Sequence, residues 1–195
     1  MSAVRRLGIV LLITLATACT RQYETFEPPP LDFSGRQALL LAVERVTVQS
    51  AFRSQGAPPF VEHGFVVTPE SAARRLLEHR LHAVGGAGSV QAVILDASVR
   101  EEPLETTQGA RGYFTQEPSA RLLGSLKVRV DRLDGTGGVV SSATTAVTRS
   151  RSIPEDASYG RRQEIGYELV RDLVDDLDAG LVANVRETFR SIVQR

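Results

Sequence analysis

Apolar positions along the chain change period several times, and each change marks an element. Residues 37–50 place Leu39, Leu41 and Val43 on one face of a strand, with Val46 and Val48 further along. Leu40 and Ala42 make its start apolar on both sides, which predicts a central position. Residues 51–67 read as a loop around Gly56, Pro58 and Pro59. Thr68-Pro69 then has the form of a helix start, a threonine cap followed by proline in the first turn. Ala73, Leu76, Leu77, Leu81 and Val84 recur at helical spacing, so the helix is expected to run to about Val84. The glycines at 85, 86 and 88 follow it and read as a left-handed cap and turn. A phosphate loop needs the opposite order, with the glycines before a helix N-terminus.

Residues 90–100 form a second strand that is apolar on both faces, and residues 101–119 a polar loop. A third strand alternates cleanly, with Leu126, Val128 and Val130 inward and Lys127, Arg129 and Asp131 outward. The run Asp134-Gly135-Thr136-Gly137-Gly138 turns it into a fourth strand, from Val139 to about Arg151, rich in Ser, Thr and Val. After Pro154 a long helix extends to about Val193 through Ile165, Leu169, Leu173, Leu177, Leu181, Val185 and Phe189. A four-residue step drifts around a straight helix, so the stripe winds or the helix bends near Gly180. The fold class is therefore α+β, in the order β-α-β-β-β-α. A four-stranded, mostly antiparallel sheet with both helices on one face satisfies every apolar stripe.

The N-terminus follows a different logic. Arg5 and Arg6 precede the uncharged apolar residues 7–16, too short a run to span a bilayer but of the length of a signal-peptide core. The segment Leu15-Ala16-Thr17-Ala18-Cys19 resembles a bacterial lipobox, in which the cysteine after a small residue is acylated and becomes the mature N-terminus. Its leucine lies one position further from the cysteine than in the usual pattern. Cleavage near Ala18 by an ordinary secretory route, leaving Cys19 as a free thiol, is the alternative. The paired arginines lack the rest of a twin-arginine signal. The expected organisation is a leader over residues 1–18, a tether over residues 19–35 that begins at lipid-bearing, palmitoylated Cys19, and one domain over residues 36–195. Two acyl chains anchor stably where one does not. Thr20, in place of Asp, favours the outer membrane by resemblance to other lipoproteins. Pro28-Pro29-Pro30 gives the tether stiff, extended character, although Tyr23, Phe26 and Phe33 offer aromatic side chains that can dock on the domain.

Composition narrows the chemistry. Of 195 residues, 23 are basic and 23 acidic, so the chain lacks the basic excess of a nucleic-acid binder. Removing the leader takes two arginines and no acids, which leaves 21 against 23. One cysteine excludes a disulfide framework and a Cys-rich metal site. Glu78, His79 and His82 share the first helix without the spacing of a metalloprotease, and His63 sits in a loop. Asp172, Asp175, Asp176 and Asp178 crowd the last helix, as a solvated face or as paired carboxylates. Catalysis would need His63, His79, Asp172 and Asp176 to converge. Ser125 is not in a nucleophile elbow. Neither a catalytic residue nor a metal or cofactor is expected.

Interface residues are better candidates. Phe60 and Phe65, with Phe52, occupy the first long loop, and Tyr113 and Phe114 the second. Arg149 and Arg151 fall on one strand face, with Arg161 and Arg162 soon after. They form a basic patch unless Glu155, Asp156 or Glu164 pairs with them.

The segments Val61-Glu62-His63, residues 80–85, Asp96-Ala97-Ser98-Val99 and residues 148–156 resemble a family of uncharacterised outer-membrane lipoproteins from alphaproteobacteria, over most of the mature chain. More loosely, a lipobox followed by this element order resembles the auxiliary lipoproteins of lipid-transport ABC systems and the lipoprotein partner of the lipopolysaccharide-assembly barrel. That second resemblance is topological. An anchor, a tether, a small mixed sheet and no catalytic constellation point to a non-enzymatic accessory or assembly protein of an outer-membrane or lipid-transport machine, lipid-anchored at the outer membrane and facing the periplasm, with an envelope protein as partner. A module that binds lipid or another small amphiphile between sheet and helices is the alternative.

Overall fold

The computed structural model describes residues 25–104 and 118–194. The leader, Cys19, Tyr23, Tyr113 and Phe114 lie outside the described residues. The elements are β1 (Leu39–Leu41), β2 (Arg45–Ser50), a 3-10 turn (Glu62–Gly64), α1 (Pro69–Arg80), β3 (Leu81–Ala83), β4 (Ser89–Asp96), β5 (Val99–Pro103), β6 (Pro118–Leu133), β7 (Val139–Pro154) and α2 (Tyr159–Thr188).

Strand β6 is the spine. One of its edges pairs antiparallel with β4 and then β5, laid end to end, with Ile94 opposite Val128 and Val99 opposite Gly124. The other edge pairs with β7 along its whole length. Strand β2 joins β4 in parallel, with α1 as the crossover. The sheet is thus four strands wide and mostly antiparallel, as the pattern predicts. A separate parallel pair, β1 with β3, sits beside it.

Both helices cover the same sheet face and touch each other. Val90, Ala92 and Ile94 of β4 and Leu122, Leu126 and Val128 of β6 point under them, fully or almost fully buried. From above come Leu76 and Leu77 of α1 and Leu169, Leu173, Leu177 and Leu181 of α2. Glycines bring sheet and helix close. A Cβ at Gly124 would lie 2.6 Å from a Leu173 methyl, and one at Gly180 2.7 Å from Thr145 Cγ2. Gly180 therefore marks a close approach, and α2 continues through it as helix. On the other sheet face, β7 exposes Ser142, Thr144, Thr148, Ser150 and Ser152.

Several boundaries differ from the periodicity. The first strand is two, because the chain changes partner within it. Ala42 N–H donates to Ile192, and Glu44 N–H to Gly88. Helix α1 stops at Arg80, where Leu81 turns extended and starts β3. The 85–88 glycines consequently turn β3 into β4 and do not cap the helix. Gly86 has φ 143°, and a Cβ there would lie 2.3 Å from the Ala42 carbonyl oxygen. The second strand bulges at Leu95, between Ile94 and Asp96, and breaks after Asp96, whose carboxylate accepts the Ser98 N–H at 3.1 Å. Helix α2 ends at Thr188, after which Val193 bridges to Leu41.

Candidate interaction surfaces

The loop over residues 51–67 is stitched to the body by both backbone and side chains. Val61 N–H donates to Val99 and Glu101 N–H to Pro59, each at 2.9 Å, so residues 59–61 cover the free edge of β5. Phe60 bridges Arg100 there and is half-buried. Phe52, Val61 and Phe65 pack against the core. The Phe65 ring lies over Gly166 of α2, where a Cβ would meet it at 3.1 Å.

Two polar side chains fix this loop. Glu62, 2% exposed, accepts the Val99 N–H at 3.1 Å and the Ser54 hydroxyl. Gln163 of α2 donates to the Gly64 carbonyl at 2.9 Å and accepts the Val66 N–H at 3.1 Å. Both matter because an unpaired buried polar group costs about 1–3 kcal/mol. Glu62 stands in the sequence between Val61 and His63, beside the aromatics Phe60 and Phe65. A charged residue between aromatics and prolines was the available signal.

The N-terminal segment is also fastened. Phe26 stacks tilted on Tyr167 of α2, with ring centroids 5.8 Å apart, and Leu31 and Phe33 are buried. Arg36 lies over the Phe33 ring at 5.1 Å. From there it reaches Asp175 and, at 2.8 Å, Asp178. Burial opposes its charge, but the two carboxylates outweigh that and raise the guanidinium pKa. Arg80 donates to Asp178 at 2.6 Å and to the Gln37 carbonyl. The part of the tether from Phe26 onward is thus bound to the helices.

The remaining aspartates of α2 meet β7. Arg149 grips Asp176 with two nitrogens, one of them at 2.8 Å, and Arg151 reaches Asp172 and, at 3.3 Å, Glu168. The hydrogen bond from Arg149 holds the Asp176 carboxyl below its ordinary range. The acidic run and the basic strand, read separately in the sequence, are two halves of one ionic seam. Arg161 pairs with Glu164 at 2.7 Å and Arg162 with Glu101 at 2.6 Å.

The histidines go to separate places. His79 donates to the Arg36 carbonyl at 3.2 Å, His82 is exposed in β3, and His63 is exposed in the 3-10 turn. His79 and His82 therefore do not share a helix face. Asp172 and Asp176 face arginines of β7. Among the described residues, no group of three or more His, Cys, Asp or Glu side chains is placed to hold a metal ion. None of the described helices is long and apolar enough to cross a membrane.

One groove stands out at the far end of α2. It encloses about 580 Å³ between residues 37–40 and the chain's end, lined by Leu39, Leu40, Val193, Arg186 and Arg190 among others. The two arginines are four residues apart on one side of the chain, exposed, and without an ionic partner among the described residues. An apolar wall beside two free cations suits the two ends of an anionic amphiphile.

No family model and no curated protein matches this chain. Solved structures do. A minor lipoprotein from Acinetobacter baumannii aligns over 80% of this chain and 98% of its own, at 13% identity and a TM-score of 0.40. A PelC dodecamer from Paraburkholderia phytofirmans aligns over 73% and 92%, at 16% identity and a TM-score of 0.26. A chain assigned as a lipoprotein from Caulobacter crescentus CB15 aligns over 69% and 90%, at 15% identity and a TM-score of 0.26. The structural neighbours thus include bacterial lipoproteins.

Proposed function

We propose that this chain is a non-enzymatic envelope lipoprotein, anchored through acylated Cys19 at the outer membrane and facing the periplasm, where it serves a protein assembly as an accessory subunit. The observation that carries the reading is the pairing of a lipobox-like Cys19 with a nearby docked segment. From Phe26 to Arg36 the chain is held against α2, so a lipid at Cys19 would be coupled to a rigid body by only a few residues. A free tether would let the domain wander. A fastened one fixes which surfaces a partner meets. The ion pairs of Asp172 and Asp176 with arginines agree with a structural rather than a chemical use of those carboxylates. The test is Cys19→Ser, with membrane and soluble fractions compared. The variant is expected in the soluble periplasm, and a variant that still sediments with membranes refutes the anchor.

A second reading has its own observation. The groove beside Arg186 and Arg190 favours an anionic amphiphile as ligand. Native mass spectrometry of the purified protein separates the two readings. A lipid-sized adduct that disappears in an Arg186→Gln, Arg190→Gln double variant supports binding. An adduct-free chain that captures one defined envelope protein supports the accessory role.

A further inference from the structure

We infer that the end of the domain carrying the N-terminus of α2 is the surface that meets the lipid bilayer, with Tyr159 and Val66 at the interface. The inference rests on the acylation of Cys19 and adds to it an orientation.

The path of the docked segment sets the direction. Arg36 contacts Asp175 and Asp178, Phe26 contacts Tyr167, and Thr25, Phe26 and Glu27 line a cleft with Gly160, Arg161 and Glu164. Followed backward, the described chain steps along α2 toward its first turn and reaches Thr25 there. Cys19 is six residues before Thr25. At about 3.3–3.6 Å per residue it lies at most about 22 Å from that point. Helix α2 has 30 residues and is therefore about 45 Å long. A lipid on Cys19 thus holds one end of α2 near the membrane and leaves the other end beyond its reach, unless the domain lies on its side.

The surface at the near end fits a membrane boundary. Tyr159 is 67% exposed and Val66 57%. Both lie at the start of α2, since the Val66 N–H is held by Gln163, one turn along the helix from Tyr159. A tyrosine offers an apolar ring and a polar tip, the combination enriched where hydrocarbon meets headgroups. Arg161 and Arg162 nearby are neutralised by Glu164 and Glu101, so attraction there is apolar rather than ionic.

The far end supplies the comparison. Strand β7 runs antiparallel to α2, since Arg151 meets Asp172, Arg149 meets Asp176 and Thr144 meets Asn184. Val139, at the start of β7, therefore lies at the end away from Tyr159, and it too is exposed, at 62%.

The chain contains no tryptophan, so single-tryptophan probes report without background. Tyr159→Trp and Val139→Trp would be made in the full acylated protein. Each would be bound to phosphatidylethanolamine and phosphatidylglycerol vesicles, with and without brominated acyl chains. Emission from residue 159 is expected to shift to the blue and to fall about twofold with brominated lipid, as for an aromatic at the interface. Emission from residue 139 is expected to stay unchanged. Equal quenching at both positions, or none at residue 159 in vesicle-bound protein, overturns the orientation while leaving the anchor intact. Intact mass and flotation read the anchor separately. A chain that carries no lipid and does not float overturns both.

Discussion

Replacing Asp178 by asparagine tests whether the N-terminal segment is part of the folded unit. Asp178 accepts from Arg80 at 2.6 Å and from Arg36 at 2.8 Å, and the Arg80 and Asp178 side chains are only 9% and 12% exposed. Asparagine keeps the shape, so the change removes charge without opening a cavity. Breaking a buried pair from one side costs about 3–5 kcal/mol, mostly because the other charge stays buried and unpaired. Arg80 retains the Gln37 carbonyl, and Arg36 retains Asp175, which is 51% exposed. Both remaining partners moderate the loss, which places the expectation near the lower limit, at about 3 kcal/mol. For a domain of this size that lowers Tm by about 6–12 °C. Asp175→Asn is the internal control, since an exposed pair contributes about 1 kcal/mol or less. Thermal and urea unfolding followed by circular dichroism measure both. Hydrogen exchange should show the amides of residues 26–36 opening first in the Asp178 variant. A loss below about 1 kcal/mol for Asp178→Asn, or equal losses for the two variants, would refute the buried clamp.

Gly86→Ala should cost about 3 kcal/mol or more, or prevent folding, because its Cβ would strike the Ala42 backbone; Gly85→Ala, with open space at φ 94°, should cost only about 1–2 kcal/mol, and soluble yield with Tm distinguishes them. Gln163→Leu should leave the Gly64 carbonyl and Val66 N–H unpaired, a loss of about 1–3 kcal/mol seen as faster exchange at Val66; protection as in the parent chain would contradict the clamp. The depressed Asp176 pKa stabilises the fold above the ordinary carboxyl pKa of about 3.8, and this contribution disappears as pH falls through the lower folded value. An acid titration of Tm should therefore be shallower in Arg149→Gln than in the parent chain, and identical slopes would deny the coupling.

Local signals proved legible where one period dominated. Thr68-Pro69 starts α1 as read, with the Thr68 hydroxyl accepting the Ser71 N–H at 3.2 Å. The alternation at residues 126–130 marks the spine strand and its buried face, but Asp131, expected outward, is only 3% exposed, because Arg129 and the Ser142 hydroxyl cover its carboxylate. Leu81 shows why the end of α1 was misread. It lies four residues beyond Leu77, a helical step, and a strand beginning at residue 81 buries it equally well. Both periods are satisfied there, and pairing with Leu39 decides between them. The bulge at Leu95 leaves no mark in the pattern, because the strand is apolar on both faces from Ala92 to Leu95. The ionic seam and the clamp on Asp178 were visible only as composition. Asp178 and Arg36 are 142 residues apart, and Asp178 and Arg80 98 apart, so no local pattern pairs them. Phe60 and Phe65 stood out as loop aromatics; the edge of β5 and the Gly166 surface that receive them are tertiary features.

The two ends of α2 invite different partners, and distance keeps them separate. With the N-terminal end at the lipid, the groove beside Arg186 and Arg190 stands about 45 Å along the helix from it. Screening at physiological salt acts over about 8 Å, so anionic headgroups exert no pull on those arginines at that range. Arg186 lies in the last turn of α2, where a cation is stabilised by the helix dipole by about 0.3–1 kcal/mol, and this gives it a structural role without any ligand. Arg190 lies past the helix end and has no such account; its place on the groove wall is the stronger pointer to an anion. Under the proposed orientation, a ligand bound there would arrive from solution or from a partner protein rather than directly from the anchoring leaflet. The accessory and amphiphile-binding readings are therefore compatible in one molecule, with the near end fixed to lipid and the far end presented to whatever delivers or receives the ligand.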